Sequence, residues 1–315
     1  MRFSIIIPTH NYGKFIEEAI ESVISQKGNF SYEILIIDDA STDNTKEIVM
    51  HFLKENKNIK YFINRKNEGT AFCYKKGISI ARGDIVCILD ADDRWKKNKL
   101  LEVDKFFKKN EEASLLFHNI DKIDIKGKLI AKKIMKSPSS QQLLSPFEIL
   151  KKDFFGPLGS TLCFNRQFIT KIKIYKKLYA AVDGYLLLAT LLHKGRVFYI
   201  DKSLSYYRAH ETSTTYAKKI EKLIFNLKNY STMLRKCYLL AEGKKYPFID
   251  KLAKMAALRA KILERKKINK LYFEKLLLSL FRLIGIKKFI IYSIQNFNNN
   301  LYLLLRQKYY SIKKY

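Results

Sequence analysis

From residue 1 to about residue 119, short β-branched runs alternate with longer stretches in which apolar positions recur every three or four residues. That is the pattern of βαβ units laid on a parallel sheet. The strand-like runs are residues 3–7, 33–37, 60–63 and 85–89. Between the first two, Ile16, Ala19, Ile20, Val23 and Ile24 fall on one helical stripe, which predicts an amphipathic helix. The next helix is predicted to begin at Ser41 or Thr42, with Asp43 and Glu47 in a first turn that favours negative charge. The middle third is less regular. Residues 115–119 read as a strand, 124–127 as a turn, 137–145 as a polar loop and 156–159 as a bend before the apolar run 160–164. A helix over 183–193 and a strand over 196–200 follow. Past Thr215 the chain turns to Lys, Leu, Ile, Phe and Tyr with little Gly or Pro, which predicts a helical appendage.

In a parallel sheet, ligands gather at the carboxyl ends of the strands, so the polar residues there are the informative ones. Pro8, Thr9, His10 and Asn11 follow the first strand, Asp38 and Asp39 the second, and Asp90, Ala91, Asp92 and Asp93 the fourth. Three carboxylates within four residues repel one another unless a cation neutralises them, and hard oxygen ligands select Mg2+ or Mn2+. Such a metal, bridged to a diphosphate, would stabilise the charge of a departing nucleotide; an ordinary acidic surface loop is the rival reading. Asp38 or Asp39 can accept a hydrogen bond from the imide N–H of uracil or thymine, or else cap the following helix. Neither Gly-x-Gly-x-x-Gly nor a Walker loop occurs, which sets aside dehydrogenase and P-loop chemistry.

The 315 residues suffice for one large α/β domain with an appendage. A net charge of +30 calls for an anionic partner, and it is unevenly spread: 24 of the 60 basic residues but only 5 of the 30 acidic ones lie beyond Thr215. There, Leu276, Leu277, Leu280, Phe281 and Ile284 form an apolar stripe flanked by Lys275, Arg282, Lys287 and Lys288, suited either to an anionic membrane surface or to packing on the main domain. Nothing in this region resembles a nucleic-acid-reading motif. Cys73, Cys87, Cys163 and Cys237 are scattered without zinc-ligand spacing, consistent with buried thiols in a reducing compartment. The expectation is a cytoplasmic protein, with no leader and no membrane span, that can lie on the inner face of the membrane.

The order of segments resembles the family 2 glycosyltransferases of GT-A fold. The resemblance is carried by residues 4–11, 36–43, Asn67-Glu68-Gly69, Gly77, residues 81–84 and Leu89-Asp90-Ala91-Asp92-Asp93. It continues more weakly through Val182-Asp183 and the segment Leu204 to His210. It implies an inverting transfer of a sugar from a nucleotide diphosphate, for which the Asp38 and Asp39 carboxylates favour UDP. Asp183 would be the acceptor base, Arg208 and His210 would lie near the diphosphate or metal, and Asp92, Asp93 and His210 would hold the metal. A sugar hydroxyl is too weak an acid to ionise at neutral pH, so a carboxylate base is a physical requirement as well; Asp183 also suits the start of an apolar helix, its competing structural role. Where many relatives read Ala-Arg-Asn, this chain has Cys73-Tyr74-Lys75. Lys75 or Lys76 can supply a charge there but not a guanidinium fork.

The sequence therefore predicts a GT-A α/β domain over residues 1–215 and a helical basic region over 216–315. The expected partners are a nucleotide-diphospho-sugar bound at Pro8, Thr9, His10, Asn11, Asp38, Asp39, Asn67, Gly69, Asp90, Ala91, Asp92 and Arg208, a glycan or lipid-linked saccharide acceptor, and an anionic membrane surface. The competing expectation is a catalytically inactive sugar-nucleotide or glycan-binding module of the same fold, against which the retained carboxylates argue.

Overall fold

The computed structural model describes residues 1–135, 142–143, 158–175, 178, 182–210, 220–240 and 247–264. The strands are β1 (Phe3–Thr9), β2 (Tyr32–Asp38), β3 (Ile59–Ile63), β4 (Ile85–Ile88), β5 (Arg94–Trp95), β6 (Ala113–Ile123), β7 (Leu129–Ala131), β8 (Gln142–Leu143), β9 (Cys163–Asn165) and β10 (Arg196–Arg208). The helices are α1 (Gly13–Ile24), α2 (Thr45–Glu55), α3 (Thr70–Ile80), α4 (Lys99–Lys109), α5 (Arg166–Ile169), α6 (Val182–Leu192), α7 (Ile220–Leu240) and α8 (Pro247–Glu264), with a 3-10 turn at Gly159–Thr161.

Among the described residues the strands form one sheet in the order β3-β2-β1-β4-β9-β6-β10-β5, with β7 on β6 and β8 on β10. The first four positions are parallel, as the alternation predicts. Beyond β4 the sheet is mixed: β9 inserts antiparallel between β4 and β6, β10 runs parallel to β6, and β5 pairs antiparallel with the end of β10. All seven residues of β1 are buried, because both its neighbours are strands and both its faces are covered. Ile5 and Ile7 pack with Ile16 and Ile20 of α1, Val49 of α2 and Val103 of α4. Ile6 points the other way, toward Ala71 of α3 and Tyr185 and Leu186 of α6. The period-two alternation thus divides the core between two helical layers.

Helix α2 starts at Thr45, three or four residues beyond the expected Thr42 or Ser41. The carboxylate of Asp43 lies ahead of it and accepts from the backbone N of Gly13 at 2.9 Å and of Thr45 at 3.1 Å. It ties two loops together at the carboxyl end of the sheet before the helix begins. The expected strand over 196–200 extends through Arg208, with register shifts near Ile200 and Ser203 that turn its second half along β5.

The described part of the C-terminal region is helical. Met233, Leu234 and Cys237 of α7 and Ile249 and Ala253 of α8 are 0–2% exposed and share one core cluster with Tyr185–Leu188 of α6, so the two helices pack on the α/β layer. The stripe over 276–284 and most of the predicted loop over 137–145 lie outside the described residues. No described helix is long and apolar enough to cross a membrane.

Candidate active site

The loop after β4 brings Asp90, Asp92 and Asp93 to the centre of the sheet's carboxyl edge, and Ser160 on the 3-10 turn ties it down. Ser160 Oγ accepts from the backbone N of Asp90 at 3.0 Å and donates to Asp93 Oδ2 at 2.6 Å. The other oxygen of Asp93 accepts from the backbone N of Arg208 at 2.9 Å. Tyr74 on α3 donates its hydroxyl to Asp90 Oδ1 at 3.0 Å. Gly159 backs directly onto this pair: a Cβ there would stand 2.4 Å from both Asp90 Oδ2 and Tyr74 Oη. Beneath lies Lys99, fully buried, with Nζ donating to the carbonyl of Ser160 at 2.7 Å and resting 3.9 Å from the centre of the Trp95 ring. Burial lowers its pKa, while Asp93 and Asp90 are among the anions opposing that shift.

Burial, with the charges of Asp92 and Asp183, pushes the Asp90 carboxyl up to about 7. Burial together with Asp92 and Asp90 raises Asp93 as well. Burial and the same carboxylates keep the phenols of Tyr12 and Tyr74 protonated, so both act as donors. A low-dielectric pocket that holds several carboxyls at the expense of their ionisation is one whose charge a cation would relieve.

Arg208 and His210 reach the same loop from the end of β10. The Arg208 guanidinium, wholly buried, donates to the carbonyls of Asp92 at 2.9 Å and Ile125 at 3.0 Å, and to Glu18 Oε2 at 2.7 Å, and lies 5.1 Å from the Phe15 ring centre. Its donors are directed at the protein, so in this geometry it braces the Asp92 backbone. His210 Nε2 sits 3.0 Å from Asp92 Oδ2, with its ring 5.0 Å from that of Phe15. Asp183 stands in the first turn of α6. Its Oδ1 accepts from the backbone N of Gly184 at 2.8 Å. Burial pushes its carboxyl up to about 6, and its charge acts on both Asp90 and Tyr74. Residues 90–93, 183 and 208–210, far apart in sequence, therefore share one electrostatic neighbourhood.

The ends of β1 and β2 form the adjoining part. Asn11, at φ 58°, accepts from the backbone N of Thr42 at 2.7 Å, and its own N donates to Ser41 Oγ at 2.9 Å. Asp38 accepts from Ser41 N at 2.8 Å and from the Tyr61 hydroxyl. Asp39 accepts from Asn64 Nδ2 at 2.8 Å, Glu68 N at 2.9 Å and Gly69 N at 2.6 Å, which holds the loop carrying the exposed Asn67 against β2. Gly69 takes φ 89° there, a conformation open to glycine at little steric cost. Lys76 donates to Asn64 Oδ1 at 2.9 Å, so the cation at the divergent segment supports the Asp39 network, while Lys75 is exposed. Thr9 Oγ1 and His10 Nδ1 are buried with no partner among the described residues, and buried polar atoms left in this way call for a ligand or water. Pro8 continues β1 into this corner and Ala91 is buried in the acidic loop.

Among the described residues no three His, Cys, Asp or Glu side chains form a ready-made metal cage. Asp93 faces inward, to Ser160 and Arg208. Asp92 and His210 are the pair that fits a hard divalent cation, since Mg2+ is ordinarily held by one or two carboxylates together with substrate phosphates. The sequence reading missed Tyr12, Glu18, Tyr74, Lys99, Gly159 and Ser160. Only the departure at Cys73-Tyr74-Lys75 gave a local signal, and it pointed to the neighbouring lysines rather than to Tyr74.

Solved structures bear out this architecture, a mixed α/β sheet with an acidic loop at its carboxyl edge. The chain superposes on Staphylococcus aureus TarS, residues 1–349 in complex with UDP, with a TM-score of 0.60 and 19% identity over 92% of this chain and 83% of that one. It also superposes on the mannosyltransferase PcManGT of Pyrobaculum calidifontis in complex with GDP-Man and Mn2+, with a TM-score of 0.57 and 16% identity over 96% and 85%. At these identities the likeness establishes the fold, GT-A. The sequence profile of Glycosyl transferase family 2 matches residues 4–177, and the chain belongs to that family. An uncharacterized glycosyltransferase of Nostoc sp. is 29% identical over 67% of this chain and 65% of its own length. An uncharacterized glycosyltransferase of Rickettsia conorii is 31% identical over 84% and 42%. The chain thus spans between about two-fifths and two-thirds of the length of these relatives.

Proposed function

We propose that this chain transfers a sugar from a nucleotide diphosphate, UDP foremost, to an acceptor hydroxyl with inversion at the anomeric carbon. The observation that carries the reading is the gathering of Asp90, Asp92, Asp93, Asp183 and His210 in one electrostatic neighbourhood at the carboxyl edge of the sheet. Asp183 takes the acceptor proton as the new glycosidic C–O bond forms; the bond from the anomeric carbon to the diphosphate oxygen breaks, and its electron pair leaves with the nucleotide. Asp92 and His210 would hold Mn2+ or Mg2+, which when bound supplies neutralising charge to the diphosphate. Arg208 keeps the Asp92 backbone in place, and Tyr74 orients Asp90.

The nucleotide belongs at the ends of β1 and β2. A carboxylate has about four acceptor sites. Asp39 engages three donors and Asp38 two, so Asp38 has more capacity left for the imide N–H of uracil. Thr9 Oγ1 and His10 Nδ1 offer further polar contacts, while Pro8, Asn11, Asn67 and Gly69 frame the pocket. UDP is favoured because TarS has been solved with UDP and with UDP-GlcNAc, and GDP-Man in PcManGT marks the other nucleotide to test.

A growing cell-surface glycan or a lipid-linked saccharide is the proposed acceptor. It is in keeping with TuaG of Bacillus subtilis, a glycosyltransferase assigned to teichuronic acid biosynthesis that is 37% identical over 31% of this chain. The proposed setting is the inner face of the cytoplasmic membrane. The decisive assay offers a panel of nucleotide sugars with Mn2+ and follows release of the nucleotide. The chain should turn over at least one donor and Asp183→Asn should not; donor binding without turnover in either protein would make this a binding module instead.

A further inference from the structure

The hairpin that joins β6 to β7 is an apolar tip interspersed with lysines. Ile125, Leu129 and Ile130 are 43%, 44% and 54% exposed, three of the few large apolar side chains left in solvent among the described residues, and they lie within six positions of one another. Lys126, Lys128 and Lys132 alternate with and flank them along the hairpin, all exposed, and none pairs with a carboxylate among the described residues. The nearby acid is committed elsewhere: Asp124 Oδ1 accepts from the backbone N of Lys126 at 2.9 Å and of Lys128 at 2.8 Å, which closes the turn. Lys133 is the one lysine of the group with a partner, Asp201 at 2.8 Å. Among the described residues strand β7 pairs only with β6, so Leu129 and Ile130 lie on a free sheet edge and Ile125 in the turn before it. Lysines along such an edge discourage strand pairing with another protein.

We propose that this tip seats the protein on an anionic phospholipid surface, with Ile125, Leu129 and Ile130 entering the headgroup boundary and Lys126, Lys128 and Lys132 meeting lipid phosphates. Apolar groups interspersed with lysines match the interface of an anionic bilayer, where burial and electrostatic attraction add. The overall charge of +30 favours approach to the same surface. The hairpin is also fastened to the site. The carbonyl of Ile125 accepts from Arg208, which holds the Asp92 carbonyl, and the carbonyl of Gly127 accepts from Arg94 at 3.0 Å. A membrane docked at the tip is thus one arginine away from the acidic loop, a suitable place to receive an acceptor carried on a lipid.

The test uses the full chain and vesicles of phosphatidylcholine with or without phosphatidylglycerol, and no sugar donor, so its outcome is separable from the transferase reading. The native chain should sediment with the anionic vesicles only. Leu129→Ser with Ile130→Ser, and separately Lys126→Gln with Lys128→Gln and Lys132→Gln, should each weaken retention by about tenfold or more. Because all four native cysteines are buried, an Ile130→Cys variant can be labelled at that position with an environment-sensitive dye, whose emission should shift to the blue on anionic vesicles. Retention unchanged in both hairpin variants with an unshifted dye would overturn the proposal and leave the basic C-terminal stretch as the contact. So would failure of the native chain to bind anionic vesicles, or self-association through the tip.

Discussion

Asp183 serves the proposed reaction and destabilises the fold for the same reason. Burial raises its carboxyl from the ordinary 3.8 to about 6, so the folded chain takes up a proton more readily than the unfolded one. Its contribution to stability is therefore best at low pH and is lost as the pH rises from 3.8 through about 6. Asp183→Asn escapes that loss: the variant should melt at a higher temperature than the native chain at neutral pH while transfer falls by about two to four orders of magnitude. Because a general base acts in its ionised form, kcat/KM of the native enzyme should fall about tenfold per pH unit below about 6; a flat profile there would count against Asp183. Gly159→Ala tests the acidic loop. Its methyl would collide with Asp90 and Tyr74 at 2.4 Å, so about 1–3 kcal/mol of stability and much of the donor affinity should go together, read by thermal unfolding and donor titration. The three carboxylates of the loop were legible in the sequence because like charges closing an apolar run are conspicuous. Tyr74, Ser160 and Lys99 were not, since their partners lie 16, 70 and 61 positions away and only the folded sheet brings them together.

Among the elements, α7 and α8 are part of the core. Leu234 is wholly buried in the cluster that contains Tyr185 and Leu186. Leu234→Ala should cost about 2–5 kcal/mol in urea unfolding, and a chain ended at residue 215 should be insoluble because α6 would lose its cover. A soluble, cooperatively folding 1–215 fragment would show instead that the helices are a detachable appendage. The parallel half of the sheet was readable from alternation and helical stripes. The other half was not: β9 has three residues, too few for a period, and its antiparallel place between β4 and β6 depends on contacts distant in sequence. The start of α2 was misplaced because Asp43, which looks like a first-turn acid, is used across the loop by Gly13.

For the molecule as a whole, a sheet with both faces covered leaves its carboxyl edge as the place where β1, β2, β4 and β10 deliver polar groups together. The order of segments made this edge visible in the sequence; the bracing of Asp92 by Arg208 and Glu18 needed the fold. The central claim is that the carboxylates at this edge bind a diphosphate through a divalent cation. Calorimetric titration with UDP, in Mn2+ and again in excess chelator, tests it most directly. The account predicts binding that requires the metal and weakens by about tenfold or more in Asp92→Asn; equal UDP affinity with and without Mn2+, unchanged in that variant, would contradict it.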